Sequence, residues 1–377
     1  MTDSTAPAPS PTVQALLADL PVFDAHHDAI QLTLDLGHDL AVGAPGQFDL
    51  PRARRGGVGA SVFACWVDGH FALPGAPVGS AARAHALIDA LHGLCAEHPD
   101  QVRLVRTAAD LERARTDRVH GAVCGIEGGH AIENRLEELE RFAERGLRCM
   151  TLVWNNHLPW IRSCQPNAGA GVPEGIDDFG RQVVRRMEEL GVMVDLSHAG
   201  ERSVYDVLDV ATKPLIASHS GCNAVRDHRR NLDDDQLRAI AANGGVVGIV
   251  FHPGFLDEDA TEDMKRVRHG AEYRAAKGAN YTETYLAESA VMQAQAAPFA
   301  LGRVVDHIQH AVEVMGIEHV GIGSDYDGIE HAPQGLEDAS GFGALAEALL
   351  ARGFTKGDVR AVLGGNMRRV FGMVLPR

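Results

Sequence analysis

Five short stretches of this 377-residue chain end an apolar run with side chains that bind cations or move protons. They are Asp24-Ala25-His26-His27-Asp28, Glu127-Gly128-Gly129-His130, Asp195-Leu196-Ser197-His198, Ser218-His219-Ser220 and Ser324-Asp325-Tyr326-Asp327. Side chains alternate along a strand, so His26 and Asp28 face the same way and can grip one metal, with His27 turned elsewhere. Glu127 stands among glycines, where the backbone can approach closely and a carboxylate can bridge two cations. His198 and His219 each deliver one imidazole. A lone histidine at a strand end is more often structural than a ligand, but clusters of ligand-type residues at one rim reverse that balance. Imidazole and carboxylate donors without thiolate favour Zn²⁺, with Mn²⁺, Co²⁺ or Fe²⁺ also suited. The chemistry indicated is that of a metal-dependent hydrolase built on His26, Asp28, Glu127, His198, His219 and Asp325.

Something must bring these ends together. Eight apolar, β-branched runs alternate with helical segments: 21–24, 58–66, 119–126, 148–153, 192–196, 215–218, 246–251 and 319–323. That alternation predicts parallel βα units and a TIM-type (β/α)8 barrel, in which reacting groups project from the C-terminal strand ends. A doubly wound open sheet is the alternative, but it would show a glycine-rich phosphate loop after the first strand, where Asp24 to Asp28 stands instead. Gly146, Gly191 and Gly316 stop helices over 135–145, 178–190 and 303–315. Thr107 with Asp110, and Thr355 with Asp358, have the spacing of helix caps. Residues 255–297 form a long polar, alanine-rich insertion that reads either as a substrate lid or as an outer-helix elaboration. Asp195 reads as a carboxylate that orients His198 from behind or caps the next helix. His307 and His310, three apart on a helix, read as a buried helix face rather than ligands.

Composition narrows the partners. The chain is 45% hydrophobic and 23% charged, as expected of a globular protein with a sizeable core. Its formal charge of −16 lacks the basic footprint that nucleic acid or an anionic membrane requires. Six cysteines, Cys65, Cys95, Cys124, Cys149, Cys164 and Cys222, lie without a CxxC pair, which predicts a reducing, cytoplasmic setting. Residues 1–12, rich in Pro, Ala, Ser and Thr, read as a disordered tail before one domain over 13–377, and no run reaches membrane-spanning length.

At these motifs the chain resembles the renal or membrane dipeptidase family, binuclear zinc peptidases with an amidohydrolase-like barrel. Asp24-Ala25-His26-His27-Asp28 is similar to the family's D-G-H-N-D start, and Glu127-Gly128-Gly129-His130 to its E-G-G-H. Leu196-Ser197-His198, Ser218-His219-Ser220, Arg229-Arg230-Asn231, Gly323 to Gly328, Gly335 to Asp338, Gly364-Gly365-Asn366 and Arg369-Val370-Phe371 extend the likeness to the end. The resemblance implies that His26 and Asp28 hold one Zn²⁺, that His198 and His219 hold the other, and that Glu127 bridges them. It implies further that a hydroxide between the ions attacks a dipeptide, that Asp325 is the acid/base group, that Arg230 grips the substrate's carboxylate or oxyanion, and that the protein forms a homodimer. An acidified bridging water fits the donor chemistry. From the residues alone, Arg230 would instead pair with Asp233 to Asp235 at the surface.

One position departs from the family. Its T-L-T-H pattern has a histidine against the scissile group, whereas this chain reads Thr151-Leu152-Val153-Trp154-Asn155-Asn156-His157. Trp154 occupies that place, and Asn155 or His157 is then a candidate substitute donor to substrate. The end, Gly372 to Arg377, lacks the apolar tail of a lipid-anchored member. Beside dipeptide hydrolysis stand two other readings: the same metal site acting on another amide or a lactam, and a non-catalytic metal-binding homologue.

Overall fold

The computed structural model describes residues 9–76 and 78–377. Its framework is eight parallel strands: β1 (Val22–His27), β2 (Val58–Trp66), β3 (His120–Glu127), β4 (Leu147–Thr151), β5 (Met193–Asp195), β6 (Ile216–Ser220), β7 (Val246–Ile249) and β8 (Val320–Ile322). Neighbours pair in order around the ring, and β8 returns to β1 through Asp24 opposite Ile322, closing the TIM-type barrel. Nearly every strand residue is buried, because helices cover the outer face while side chains fill the interior. A ninth strand, Val102–Leu104, pairs with the first residues of β3 outside the ring. Three residues carry too little periodicity for the sequence to have marked it.

The floor of the barrel is apolar. The helix Asn366–Val374 pushes Met367, Val370 and Phe371 up against Phe23, Val62, Val123 and Ile216, with Phe371 and Phe23 stacked at 4.9 Å. This plug leaves the C-terminal strand ends as the open face, the end at which a site can form. Helix punctuation follows the sequence. Gly191 closes Asp178–Leu190 in the left-handed region, and both Thr107/Asp110 and Thr355/Asp358 form reciprocal capping boxes.

One expectation needs correction. The expected tail over 1–12 is too long: Ser10 caps a helix, Pro11–Asp19, that buries Val13, Leu16 and Leu17, while residues 1–8 lie outside the described residues. The 255–297 insertion is almost wholly helical, in Pro253–Leu256, Glu258–His269, Ala271–Ala275 and Tyr281–Gln295. Met264, Val267 and Met292 give it a small core of its own. Its last helix is tied to the barrel through Thr282 Oγ1, which donates to Asp35 at 2.6 Å, and Tyr285 Oη, which donates to the Ile329 carbonyl at 2.7 Å.

His307 and His310 are structural, as read. His307 Nδ1 accepts from the Cys222 amide at 3.0 Å, and Nε2 donates to the Leu256 carbonyl at 3.2 Å, so the fold requires the neutral ring. Burial pushes its pKa down to about 4. A depressed folded pKa means that this stabilisation is complete above the ordinary histidine value and is lost as pH falls toward 4. Urea unfolding should therefore show wild type losing about 2 kcal/mol more than His307→Gln between pH 7.5 and pH 5. Equal losses in the two proteins would refute that assignment.

Candidate metal centre

Five ligand candidates, His26, Asp28, Glu127, His198 and His219, converge at the barrel mouth. His26 and Asp28 end β1, Glu127 ends β3, His219 sits in β6, and His198 lies in the turn after β5. All five are buried, with 7% or less of their surface exposed. Glu127 faces two ways. Its Oε1 lies 2.9 Å from His198 Nε2 and 3.4 Å from His219 Nε2, while Oε2 lies 3.6 Å from His26 Nε2. His26 Nε2 in turn stands 3.7 Å from Asp28 Oδ2. Glu127–His198–His219 and His26–Asp28–Glu127 are thus two donor triads sharing one carboxylate, each with its donor atoms within 4.8 Å of one another.

Local backbone features make this approach possible. Gly128 takes φ 103°, and a Cβ on Gly129 would lie 2.3 Å from the Leu152 carbonyl, so the turn after Glu127 requires glycine. His198 and Asp325 adopt left-handed backbone, φ 69° and 63°, a conformation uncommon for non-glycine residues and concentrated at functional sites.

The surrounding hydrogen bonds set the tautomers. His198 Nδ1 donates to Asn155 Oδ1 at 3.1 Å, leaving the Nε2 lone pair facing the site. Ser218 Oγ gives its proton to Asp195 Oδ2 at 2.6 Å and so accepts from His219 Nδ1 at 2.8 Å. Asp195 therefore orients His219 through Ser218, not His198, and the following helix starts at Gly200 without a side-chain cap. Although Asp195 stands near His26 and His219, its oxygens are occupied by Thr151, Ser197 and Ser218. That leaves two imidazole lone pairs, on Nε2 atoms 3.1 Å apart, pointing at each other and at a carboxylate.

Such an arrangement is repulsive unless a cation lies among the donors. His26 Nε2 and Asp28 Oδ1 are moreover buried without a hydrogen-bond partner among the described residues, atoms that a metal would satisfy. The ionisation pattern agrees at His198, His219 and Glu127. Burial, then the neighbouring Arg230 charge, lowers His198 to about 4; burial, then His26, lowers His219 further. Burial raises Asp28 to about 6 despite its contact with His26. Burial opposes ionisation of Glu127 too, but the His26 charge and the close approach of His198 and His219 hold it well below the usual carboxylate range. Neutral His198 and His219 beside an ionised Glu127 are the protonation states that metal ligation needs; at His26 burial is outweighed by the Glu127 and Asp28 charges, which raise the imidazole well above its ordinary value and hold a proton that a bound cation would displace.

A cavity of about 210 Å³ opens over these donors and is lined by Asp325, Arg230, Trp154 and Asn155 as well. Arg230 is buried, donates from Nη2 to the His219 carbonyl at 3.2 Å and lies 5.3 Å over the Phe255 ring. It pairs with no acid among the described residues, so the expected surface ion pair with Asp233 to Asp235 is wrong: Asp233 is instead the N-cap of the next helix. Asn155 lines the pocket, but its oxygen is spent on His198 and on Gln165 Nε2. His157 is not a pocket residue; its Nδ1 accepts from the Ser163 amide at 3.2 Å and braces the loop. His27 turns away, as alternation predicts, and bonds Ser61 at 2.9 Å. Sequence reasoning missed Trp66, His252, Phe255, Tyr281 and Tyr285 in the wall. Only Trp66, an aromatic residue ending a strand, carried a local signal.

Asn155→Leu removes the acceptor that holds the His198 tautomer and should weaken metal binding about 10- to 100-fold, measured by titration with a competing chelator. Unchanged affinity would show that His198 is held by other means.

The family described as membrane dipeptidase, peptidase family M19, matches residues 11–375. The chain belongs to this family. Among curated relatives it is 32% identical to dipeptidase 3 of Mus musculus over 369 residues, covering 96% of this chain and 66% of that protein. This chain thus spans a little under two thirds of the length of that relative, and the same share of the Homo sapiens one. Among solved structures, dipeptidase AC, a metallo peptidase of family M19, is 28% identical with a TM-score of 0.78, covering 95% of this chain and 99% of its own. A metallo peptidase from Rhodobacter sphaeroides, liganded with a phosphinate mimic of the dipeptide L-Ala-D-Ala, is 26% identical with a TM-score of 0.77, covering 94% and 99%. The family's fold is the barrel described above, and the two donor triads lie at the motifs through which the chain resembles it.

Proposed function

We propose that the protein hydrolyses the peptide bond of dipeptides with two divalent ions held by His26, Asp28, Glu127, His198 and His219. The observation that carries this reading is the two-sided Glu127, one oxygen toward His198 and His219 and the other toward His26. Cations bound there acidify water and polarise a carbonyl oxygen. The chain's own residues do the rest. Arg230, a buried guanidinium without an acid partner among the described residues, binds the substrate's terminal carboxylate. Asp325, on the cavity wall, takes a proton from the nucleophile and returns it to the departing amine. Asn155 and the Ser218–Asp195 pair keep the two imidazoles aimed inward.

Zinc is the ion we assign, because the donors are nitrogen and oxygen without sulfur. A D-configured second residue, as in the dipeptide mimic bound by the Rhodobacter sphaeroides relative, belongs to the substrate range we propose. Homodimer assembly follows the family resemblance. A reducing cytoplasmic location is supported by six unpaired cysteines.

A panel of dipeptides, with and without chelator, tests the reading. Turnover that disappears on chelation and returns with Zn²⁺ is expected. Trp154, standing in the wall where the family has histidine, favours one second reading, hydrolysis of another amide or a lactam. Cleavage of such a compound with no dipeptide cleaved would replace the first reading.

A further inference from the structure

The cavity has two chemically unlike ends. On one side, past β6, stands Arg230. Across the mouth, Trp66 at the end of β2 and Trp154 after β4 meet edge to face, ring centroids 5.2 Å apart at 68°. Tyr281, from the last helix of the insertion, lies 5.0 Å from Trp66. Strands β2 and β6 are separated by three strands in either direction around the ring, so these two ends lie opposite each other. The donor triads fall between them: Trp66 is in register with Glu127, and the Trp154 ring lies 6.3 Å from His198.

These three rings are not core residues. Trp66 and Trp154 are only partly buried, and Tyr281 leaves 56% of its surface exposed. Adjoining aromatic faces left in water around a concave site are apolar surface that a ligand can cover. The edge-to-face contact uses one edge of the pair and leaves ring faces open to a further apolar group.

We infer that Trp66, Trp154 and Tyr281 form the subsite for the side chain of the substrate's N-terminal residue, and that this subsite selects large apolar or aromatic side chains. The inference rests on the dipeptidase reading. A dipeptide whose carboxylate is held by Arg230 and whose scissile carbonyl lies over Glu127, His198 and His219 has only its N-terminal half left to reach the aromatic side. Its amine finds the acids Asp28 and Asp325, and its side chain covers the rings. Tyr281, carried into the wall by the last helix of the insertion, makes the insertion part of this selection.

Metal-loaded enzyme assayed on two series, X-Ala and Ala-X with X running through Gly, Ala, Leu and Phe, tests the assignment. From Gly to Phe, kcat/KM should rise roughly 10-fold or more at the first position and several-fold less at the second. Tyr281→Ala, at a rim position, should bring the first-position ratio of Phe to Gly down toward one. Two of the chain's three tryptophans stand in this wall and the third, Trp160, is buried, so a Phe-containing phosphinate dipeptide mimic should shift tryptophan emission more than its Ala counterpart. A flat or falling first-position series, or a Phe-to-Gly ratio unmoved by Tyr281→Ala, overturns the subsite while the dipeptidase reading stands. Failure to cleave any member of either series overturns that reading, and the subsite with it.

Discussion

Glu127→Gln is expected to abolish turnover, by at least about 10³-fold, in a protein that still folds but no longer retains its metal complement. The substitution is isosteric, so the turn at Gly128 and Gly129 is undisturbed. What changes is charge and donor geometry. A carboxylate offers acceptor lone pairs on both sides; an amide offers one acceptor oxygen and one NH2. If the NH2 faces His198 and His219, it donates to the lone pairs that should hold a cation. If it faces His26, the other triad fails instead. Either orientation removes the shared negative charge that compensates two cations in a buried site, and Asp195, occupied by its own hydrogen bonds, does not replace it. Metal analysis of the purified variant, with kcat on a dipeptide that wild type cleaves, checks both parts. Two ions per chain with near wild-type turnover would refute the bridging role.

The strand ends that carry this site were legible because their chemistry is local. An apolar run followed by His or Asp says both that a buried strand ends and that a polar group projects there, and eight such runs predict the barrel; all eight strands form within three residues of the expected bounds. Glu127 among glycines, and His26 with Asp28 two apart, were readable for the same reason. What could not be read is set by the loops. Asn155 and His157 are two residues apart, yet one orients a ligand and the other braces a turn, because Ser163 and Gln165, far down the same loop, choose between them. Arg230 precedes a run of acids in sequence, but the cap at Asp233 commits that run to starting a helix and leaves the guanidinium facing inward. Tyr281 and Tyr285 reach the cavity only because Thr282 and Tyr285 bond to Asp35 and Ile329, more than 200 and about 40 residues away in the chain. No periodicity within the insertion encodes that docking.

Asp325→Asn should separate catalysis from metal binding. Asp325 belongs to neither donor triad among the described residues, so the variant is expected to keep its ions. Its own amide donates to the His26 carbonyl at 3.0 Å, which fixes the residue over the site while the left-handed backbone turns the carboxyl into the cavity. Asparagine tolerates that backbone nearly as well as aspartate, so the substitution adds little strain, where alanine would confuse strain with lost chemistry. The carboxyl is buried, and burial, reinforced by Asp28 and Glu127 and opposed by His26, lifts it well above the usual carboxylate range. A group of this kind exchanges protons where a surface aspartate would remain ionised, and an amide does so at no accessible pH. The expected result is a fall in kcat of about 10²- to 10⁴-fold with a smaller change in KM, because Arg230 still holds the substrate. Full kcat in the variant would remove Asp325 from the proton path. Loss of metal together with kcat would instead make it a ligand, and the two-triad description of the centre would have to be redrawn.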